Sequence, residues 1–452
     1  MNGMRLIAAA MAAVVAMSGC GGGGGGSTSA APPPAAVKPL ALTVKINGAA
    51  APVSDNYSLN SSDTVEVTAS AEVAWTRGGD PVQLDRPASS PTQWQARLLK
   101  NTSSASALIL KASAGSDAVL NKTLTFQLAA GDPRNGNYRA FATNGTRQTL
   151  ALNFDTLSYS WTDGANAAVN GSFAEDPGAP GTYVFQSPRI TTAANTARFR
   201  LAHEAIVGAF PFRVTQSATE SYAIQPFVAA RVLETEQAAL EGTFNRFGID
   251  IGATAQTSNT SQFQISGGGT RLVRCNDNII YRLDKCPAAS LQTWSISAGT
   301  ISGNWNMVDL GNAANTATMS VARIGEQKIF LIAGKGLTDA MTAVFRIGLP
   351  DSADWPAGTG YGTAMPGSWG AVQVNADNTS TRNGIATDGS AVTAANTFFS
   401  MGLNGPLGMR SLPNTATGAN YFAMQGAKFF VIGGANDPAH GTNGYLQINL
   451  MD

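Results

Sequence analysis

The sequence predicts an all-β protein: a small antiparallel sandwich followed by a larger β-rich domain that forms a barrel or a second sandwich. Two observations support this prediction. Apolar and polar residues alternate along most recognisable segments, which is the period of a strand with one buried face. Short motifs also recur in the C-terminal two thirds of the chain, which indicates repeated β units. An irregular β-propeller is the alternative arrangement for such repeats.

The first 19 residues have the layout of an export signal. Arg5 supplies a positive charge, and the twelve residues 6–17 that follow it are all apolar. A run of this length suits the core of a signal peptide, whereas a helix that spans a membrane needs about 20 apolar residues. We therefore expect residues 1–19 to be a signal peptide that is removed on export.

The segment Met17-Ser18-Gly19-Cys20 resembles the lipobox of bacterial lipoproteins, although Leu is more usual at the position of Met17. The resemblance implies that Cys20 becomes the acylated, palmitate-carrying first residue of the mature protein. Its lipid would then attach the chain to a membrane. In Gram-negative lipoproteins an Asp after the Cys usually signals inner-membrane retention, so Gly21 implies the outer membrane, with the body on either face.

Residues 20–38 predict a flexible tether between this anchor and the folded body. Six glycines at 21–26 are followed by Ser, Thr, Ala and three prolines, none of which can build a core. The whole chain has 29 basic and 29 acidic residues. Because no excess positive charge is available to attract phosphates, we expect no nucleic-acid partner.

Residues 39–130 contain about seven short segments with the character of strands. Leu42–Ile46 and residues 64–68 and 124–128 alternate most clearly. Val73-Ala74-Trp75 is similar to the buried strand tryptophan of immunoglobulin-like domains, without a cysteine pair beside it. The resemblance implies a bacterial immunoglobulin-like sandwich over residues 39–130.

Residues 136–452 follow a turn-rich break and predict a β-rich domain with internal repeats, at about 136–241, 242–350 and 366–452. Gly-x-aromatic recurs at Gly136, Gly181, Gly242, Gly303 and Gly367. Ala-Ala-Asn-Thr recurs at residues 193–196, 313–316 and 394–397, and the apolar run 328–334 is matched at 428–434. A short helix is expected at residues 234–241, ended by Gly242.

Cys275 and Cys286 are the two cysteines that remain if Cys20 is acylated. An exported protein meets an oxidising compartment, so we expect these two residues to form a disulfide. A metal site would need further ligands, and the chain has only two histidines, neither of them nearby in sequence. We predict no metal site.

The sequence carries no recognised catalytic motif, and no cofactor-binding motif. His203 is expected on a strand with Glu204 on the opposite face, and His440 in a turn. Glu234, Glu236 and Glu241 form the densest acidic group, which is typical of a solvent-facing helix. We name no catalytic residue and no cofactor.

Residues 350–370 predict a long loop rich in glycine. It carries Trp355, Tyr361 and Trp369, whose flat rings could bind a protein or a sugar. These three are our candidates for ligand contact, with the alternative that Trp355 and Trp369 close the ends of the β core. The sequence thus favours a non-enzymatic, outer-membrane lipoprotein with a binding, adhesion or envelope-interaction role. The alternatives are an envelope-tethered glycan hydrolase and a structural envelope component.

Overall fold

The computed structural model describes residues 38–452, except residues 61–62, 80–81, 100–105, 129–131, 133, 163–167, 215–216, 218, 278, 338, 414–419 and 435–443. Of the described residues, 61% lie in strands and 4% in helices, which confirms the all-β class. In the described part of the chain, helical structure is confined to four short 3-10 turns, at Ala118–Leu120, Gln237–Leu240, Leu283–Lys285 and Ala288–Ser290. None of these helices is long and apolar enough to cross a bilayer.

The helix expected over residues 234–241 is wrong. Only a single 3-10 turn forms there, Gln237–Leu240, and a strand begins at Gly242. Glu234 instead lies in extended chain beside the second barrel, where its backbone N–H donates to the carbonyl of Val321. Pairing with neighbouring strands therefore overrides a local helical preference.

Residues 40–128 form a two-sheet sandwich. Its strands are β1 (Leu42–Ile46), β2 (Ala49–Ala50), β3 (Asn56–Leu59), β4 (Thr64–Ala69), β5 (Ala74–Gly79), β6 (Gln83–Ser90), β7 (Gln93–Leu99), β8 (Ser106–Ser113) and β9 (Asn121–Leu128). One sheet has the order β2-β1-β4-β7-β6 and the other β3-β9-β8-β5. Trp94 is buried between them, stacked 6.5 Å from Phe126. Trp75 is only half-buried, so Trp94 takes the core position that the sequence assigned to Trp75.

Residues 136–230 form a closed barrel in which each strand pairs with the next and the last pairs with the first. The strands are β10 (Gly136–Ala142), β11 (Arg147–Asn153), β12 (Ser158–Thr162), β13 (Val169–Glu175), β14 (Thr182–Gln186), β15 (Arg198–Ala202), β16 (Ala205–Arg213) and β17 (Tyr222–Ala230). Aromatic rings fill its interior. The ring of Trp161 lies 4.9 Å from that of Phe210 and 5.0 Å from that of Phe227.

A second closed barrel of the same eight-stranded design follows directly. Its strands are β18 (Gly242–Ile251), β19 (Gln256–Ser266), β20 (Arg271–Cys275), β21 (Leu291–Ala298), β22 (Trp305–Asp309), β23 (Asn312–Ile324), β24 (Gln327–Lys335) and β25 (Ala343–Pro350). Gly181 and Gly303 each precede the fifth strand of their barrel. The first two Ala-Ala-Asn-Thr copies lie just before or within the sixth strand. These motifs therefore mark equivalent positions of the two barrels.

The last unit is a nine-stranded curled sheet with the order β29-β28-β27-β26-β34-β33-β32-β31-β30. Its strands are β26 (Gly358–Ala364), β27 (Ser368–Val374), β28 (Thr379–Ile385), β29 (Ala391–Thr397), β30 (Phe399–Ser400), β31 (Met409–Pro413), β32 (Asn420–Gly426), β33 (Phe429–Gly434) and β34 (Leu446–Met451). Only Phe398 separates the two edge strands in sequence, so the sheet curls back toward itself. Two closed barrels and a curled sheet, and not propeller blades, are thus the architecture of residues 136–452.

A large apolar core lies between the three C-terminal units, outside their interiors. Val228 of the first barrel, Phe247 and Leu331 of the second, and Val431 and Leu450 of the curled sheet all belong to it. Strand β24 is consequently buried on both faces, which explains its continuous apolar run. The strands at this junction turn their apolar face outward, and this leaves their other face for the barrel interior.

Candidate functional site

The interior of the second barrel contains a cavity of about 890 Å³. Strand β18 shows how it is built. Phe247 and Ile249 point outward into the shared core, so Phe244, Arg246 and Asp250 point inward. The cavity opens at the end of the barrel where β18 finishes and the hairpin between β24 and β25 turns.

An aromatic layer closes the other end of the cavity. The ring of Phe263 lies 5.3 Å from that of Phe244 and 4.6 Å from that of Phe330. Trp294 and Leu272, which pair across β20 and β21, are buried beside them. The cavity therefore has an apolar floor and is accessible from one end.

Three arginines project into the upper half of the cavity. Arg346 is paired, because its Nη2 lies 2.7 Å from a carboxylate oxygen of Asp250. Arg246 is only 8% exposed, and its Nη2 donates to the amide oxygen of Asn259 at 2.6 Å. Arg274 donates to the amide oxygens of Asn276, at 3.0 Å, and Gln292.

Arg246 and Arg274 lack a carboxylate partner among the residues that the structure describes. The Nε atom of each is also buried and has no hydrogen-bond partner among the described residues. Burial lowers the pKa of Arg246 well below its usual value, and the nearby charges of Arg274 and Arg346 add to this effect. Burial, followed by the charge of Arg346, also lowers the pKa of Arg274, to about 10. Arg274 thus remains a cation at neutral pH.

Gly248 makes room for this arrangement. A Cβ at this position would lie 2.4 Å from Cδ of Arg346 and 2.6 Å from Oδ1 of Asn259. Because only glycine leaves that space, Arg346 can lie across β18 and reach Asp250. The rim adds Arg147, Lys335 and Asp339, so five basic and two acidic side chains line the cavity.

The predicted disulfide is confirmed, and it lies at the same end of the barrel. Cys275 ends β20, and its Cα is 5.8 Å from that of Cys286. The loop that it closes is also held by the backbone N–H of Leu283, which donates to the buried side chain of Gln262 at 2.7 Å. A neighbouring turn of the first barrel completes the rim, since a Cβ at Gly145 would lie 2.1 Å from the carbonyl oxygen of Gly334.

The structure separates the three aromatic candidates, Trp355, Tyr361 and Trp369, from this cavity and from one another. The prediction of a long loop over residues 350–370 is wrong. Strands β26 and β27 occupy most of it, and only residues 351–357 connect to them. Trp369 is 2% exposed, since its hairpin packs on the first barrel near Ile224, so it offers no contact surface.

Trp355 and Tyr361 have different surroundings. Trp355 is half-buried, and its ring packs 5.7 Å from Phe398 and 6.0 Å from Phe430, at the core of the curled sheet. This is the core-closing role that the sequence offered as an alternative for Trp355. Tyr361 lines a separate cleft of about 350 Å³, 5.0 Å from the guanidinium of Arg200.

The other residues that the sequence analysis singled out either have different roles or lie outside the residues that the structure describes. His203 and Glu204 form a two-residue turn with positive φ values, 52° and 65°, so the strand expected there is wrong. Glu234 is buried and accepts two hydrogen bonds from Arg323 at 2.9 Å, which corrects its assignment to a solvent-facing helix. Cys20 and His440 lie outside the described residues. In the part described, no group of three or more His, Cys, Asp or Glu side chains could hold a metal ion.

Sequence reasoning missed the arginines of the second barrel. A signal was present, since Arg246 and Asp250 alternate with the apolar Phe247 and Ile249. Alternation alone assigns the charged face to solvent. The outer core reverses that assignment here, and the sequence does not show which strands will pack there.

Neither a protein-family model nor a curated protein matches this sequence. Among solved structures, a DUF4784 family protein from Bacteroides caccae aligns over 84% of this chain and 92% of its own, with 10% identity and a TM-score of 0.18. A likeness of this size carries no argument about fold or function.

Proposed function

We propose that this chain is an outer-membrane-anchored lipoprotein with a binding role, and that it holds a small molecule inside the second barrel. The observation that carries the binding role is the cavity of about 890 Å³ with its aromatic floor. Small-molecule sites are typically about 300–1,000 Å³, apolar in the main, with a few convergent polar groups. Eight-stranded barrels are wide enough to hold one such ligand.

The lining of the cavity favours binding over the alternative of glycan hydrolysis. Its two acidic residues are Asp250, which is paired with Arg346, and Asp339. Asp339 accepts hydrogen bonds from the hydroxyl of Thr342 and the backbone N–H of Met341, and these bonds lower its pKa. A glycosidase needs one carboxyl group whose pKa is raised, to serve as the acid.

Filling the cavity tests this proposal. Gly334 lines the cavity on β24, its φ is unstrained, and a Cβ there would meet no atom within 4 Å. Gly334→Phe should therefore place a ring in the cavity, while Gly334→Ala is the matched control that leaves it nearly empty. The probes are N-phenyl-1-naphthylamine, which is neutral, and its sulfonated analogue 8-anilinonaphthalene-1-sulfonate.

We expect the full chain in lipid nanodiscs, with the signal of empty nanodiscs subtracted, to bind at least one probe saturably by fluorescence. Gly334→Phe should abolish this binding and Gly334→Ala should retain it. Failure of the native chain to bind either probe, or unchanged binding by Gly334→Phe, would overturn the proposal.

A further inference from the structure

We infer that the ligand of the second barrel is an organic anion: a carboxylate, sulfonate or phosphate head group on an apolar body, bound head-first against Arg246 and Arg274. The inference rests on the proposed function, because it assigns the chemical class of the molecule that the cavity holds. It is carried by the guanidinium groups of Arg246, which is buried, and Arg274, which is partly buried, because neither forms an ion pair with a carboxylate among the described residues.

The first step of the argument concerns charge. Burying a cation is costly unless an anion or a set of hydrogen-bond acceptors compensates it. Asp250 is paired with Arg346, whereas Arg246 and Arg274 donate only to neutral amide oxygens in the described structure. Asp250 attracts Arg246, and Asp309 attracts Arg274, only without a hydrogen bond. The three guanidinium groups also lie close enough to repel one another. An incoming anion would remove both penalties at once.

The second step concerns geometry. The Nε atoms of Arg246 and Arg274 are buried and have no acceptor among the described residues, and both side chains line the same cavity. Guanidinium groups bind oxyanions through two parallel N–H donors, which gives direction as well as attraction. An oxyanion head group is therefore the chemistry that satisfies these donors.

The third step concerns the rest of the ligand. Phe263 and Arg274 are direct partners in the pairing of β19 with β20, so an aromatic ring lies beside the cationic group. Below them the lining is apolar, with Trp294, Phe330 and Ile332 buried at 6%, 2% and 9% exposure. A fully hydrophilic anion would leave this floor uncovered, whereas an apolar body attached to the head group would cover it.

The two probes of the cavity test share one ring skeleton and differ in the sulfonate, so they also test the ligand class. We expect the native chain to bind the sulfonated probe about tenfold or more tightly than the neutral one, as charge-assisted hydrogen bonds commonly give. Arg246→Met and Arg274→Met should each weaken the binding of the sulfonated probe by a similar factor. Each should leave the affinity for the neutral probe within about twofold of the native value. Arg246→Met should not lower the unfolding midpoint, because it removes a buried charge without an acidic partner.

Arg271→Met is the matched control. Arg271 lies on the same strand as Arg274 but is exposed, so its replacement changes the net charge equally without touching the cavity. It should leave both affinities unchanged. Equal affinity of the native chain for the two probes would overturn the anion assignment and leave the proposed binding site standing. Arg246→Met and Arg274→Met variants that bind the sulfonated probe as tightly as the native chain would also overturn the anion assignment and leave the proposed binding site standing. Binding of neither probe would overturn both proposals.

Discussion

Gly248 shows how a single residue shapes the cavity of the second barrel. The side chains of Arg346 and Asn259 occupy the space where a Cβ at this position would lie. Arg346 also donates to the backbone carbonyl oxygens of Ile249 and Phe345, both at 2.9 Å, so it cannot move aside without losing these bonds. The glycine is therefore a requirement of packing, not of backbone conformation.

Gly248→Ala should lower the free energy of unfolding by about 1–3 kcal/mol, the usual cost of overpacking a filled interior. Gly334→Ala, on β24 of the same barrel with open space around its Cβ, is the control and should change stability by less than about 0.5 kcal/mol. Urea unfolding of both variants measures the difference. Equal costs for the two would contradict the role assigned to Gly248.

At the scale of elements, the loop between β20 and β21 is held at several points. The disulfide joins Cys275 to Cys286, and the backbone N–H of Asn276 donates to the carbonyl of Ser290 at 2.8 Å. The backbone N–H of Arg282 donates to the carbonyl of Asn404, which connects the loop to the curled sheet. These contacts fix the loop beside the mouth of the cavity.

Replacing Cys275 and Cys286 together with Ala should lower the free energy of unfolding by about 3 kcal/mol, because an 11-residue separation closes a short loop in the unfolded chain. The fold should persist, since the loop keeps its backbone hydrogen bonds. Urea unfolding with and without reductant provides the measurement and its control. Reductant should destabilise only the native chain, and an equal effect on the double variant would contradict the prediction.

At the scale of the molecule, the cores divide into two sets. The two clusters of the sandwich contain only residues 40–128, whereas the largest cluster draws on both barrels and the curled sheet. Among the described residues, the three C-terminal units are thus joined by burial on their outer faces. Separation of residues 39–130 from residues 136–452 as domains stays a prediction.

The attachment to the outer membrane that we propose is also a property of the whole molecule, and it would depend on the thiol of Cys20. Cys20→Ser removes the thiol that would carry the lipid, so the chain should accumulate as an unprocessed or soluble form. Fractionation of cells and the mobility of the chain on gels measure this outcome. Recovery of a processed Cys20→Ser chain in the outer membrane would contradict the lipobox prediction.

The sequence by itself determined the features that depend on local period and on chemistry. Alternation in Leu42–Ile46 identified a strand because successive side chains on a strand point to opposite faces. Two cysteines without other metal ligands nearby identified the Cys275–Cys286 disulfide. The repeated glycines at 181 and 303 indicated repeated β units, and the structure places each of them just before the fifth strand of its barrel.

Only the tertiary structure decided which face of each strand points where. Phe247 and Arg246 are neighbours in sequence, yet Phe247 enters the core between the barrels and Arg246 enters the cavity. Trp369 was expected in a loop but is buried where its hairpin meets the first barrel. In each case the deciding contacts come from strands distant in sequence. Whether an apolar face points into its own barrel or into a shared outer core depends on how the barrels pack together, which local alternation cannot encode.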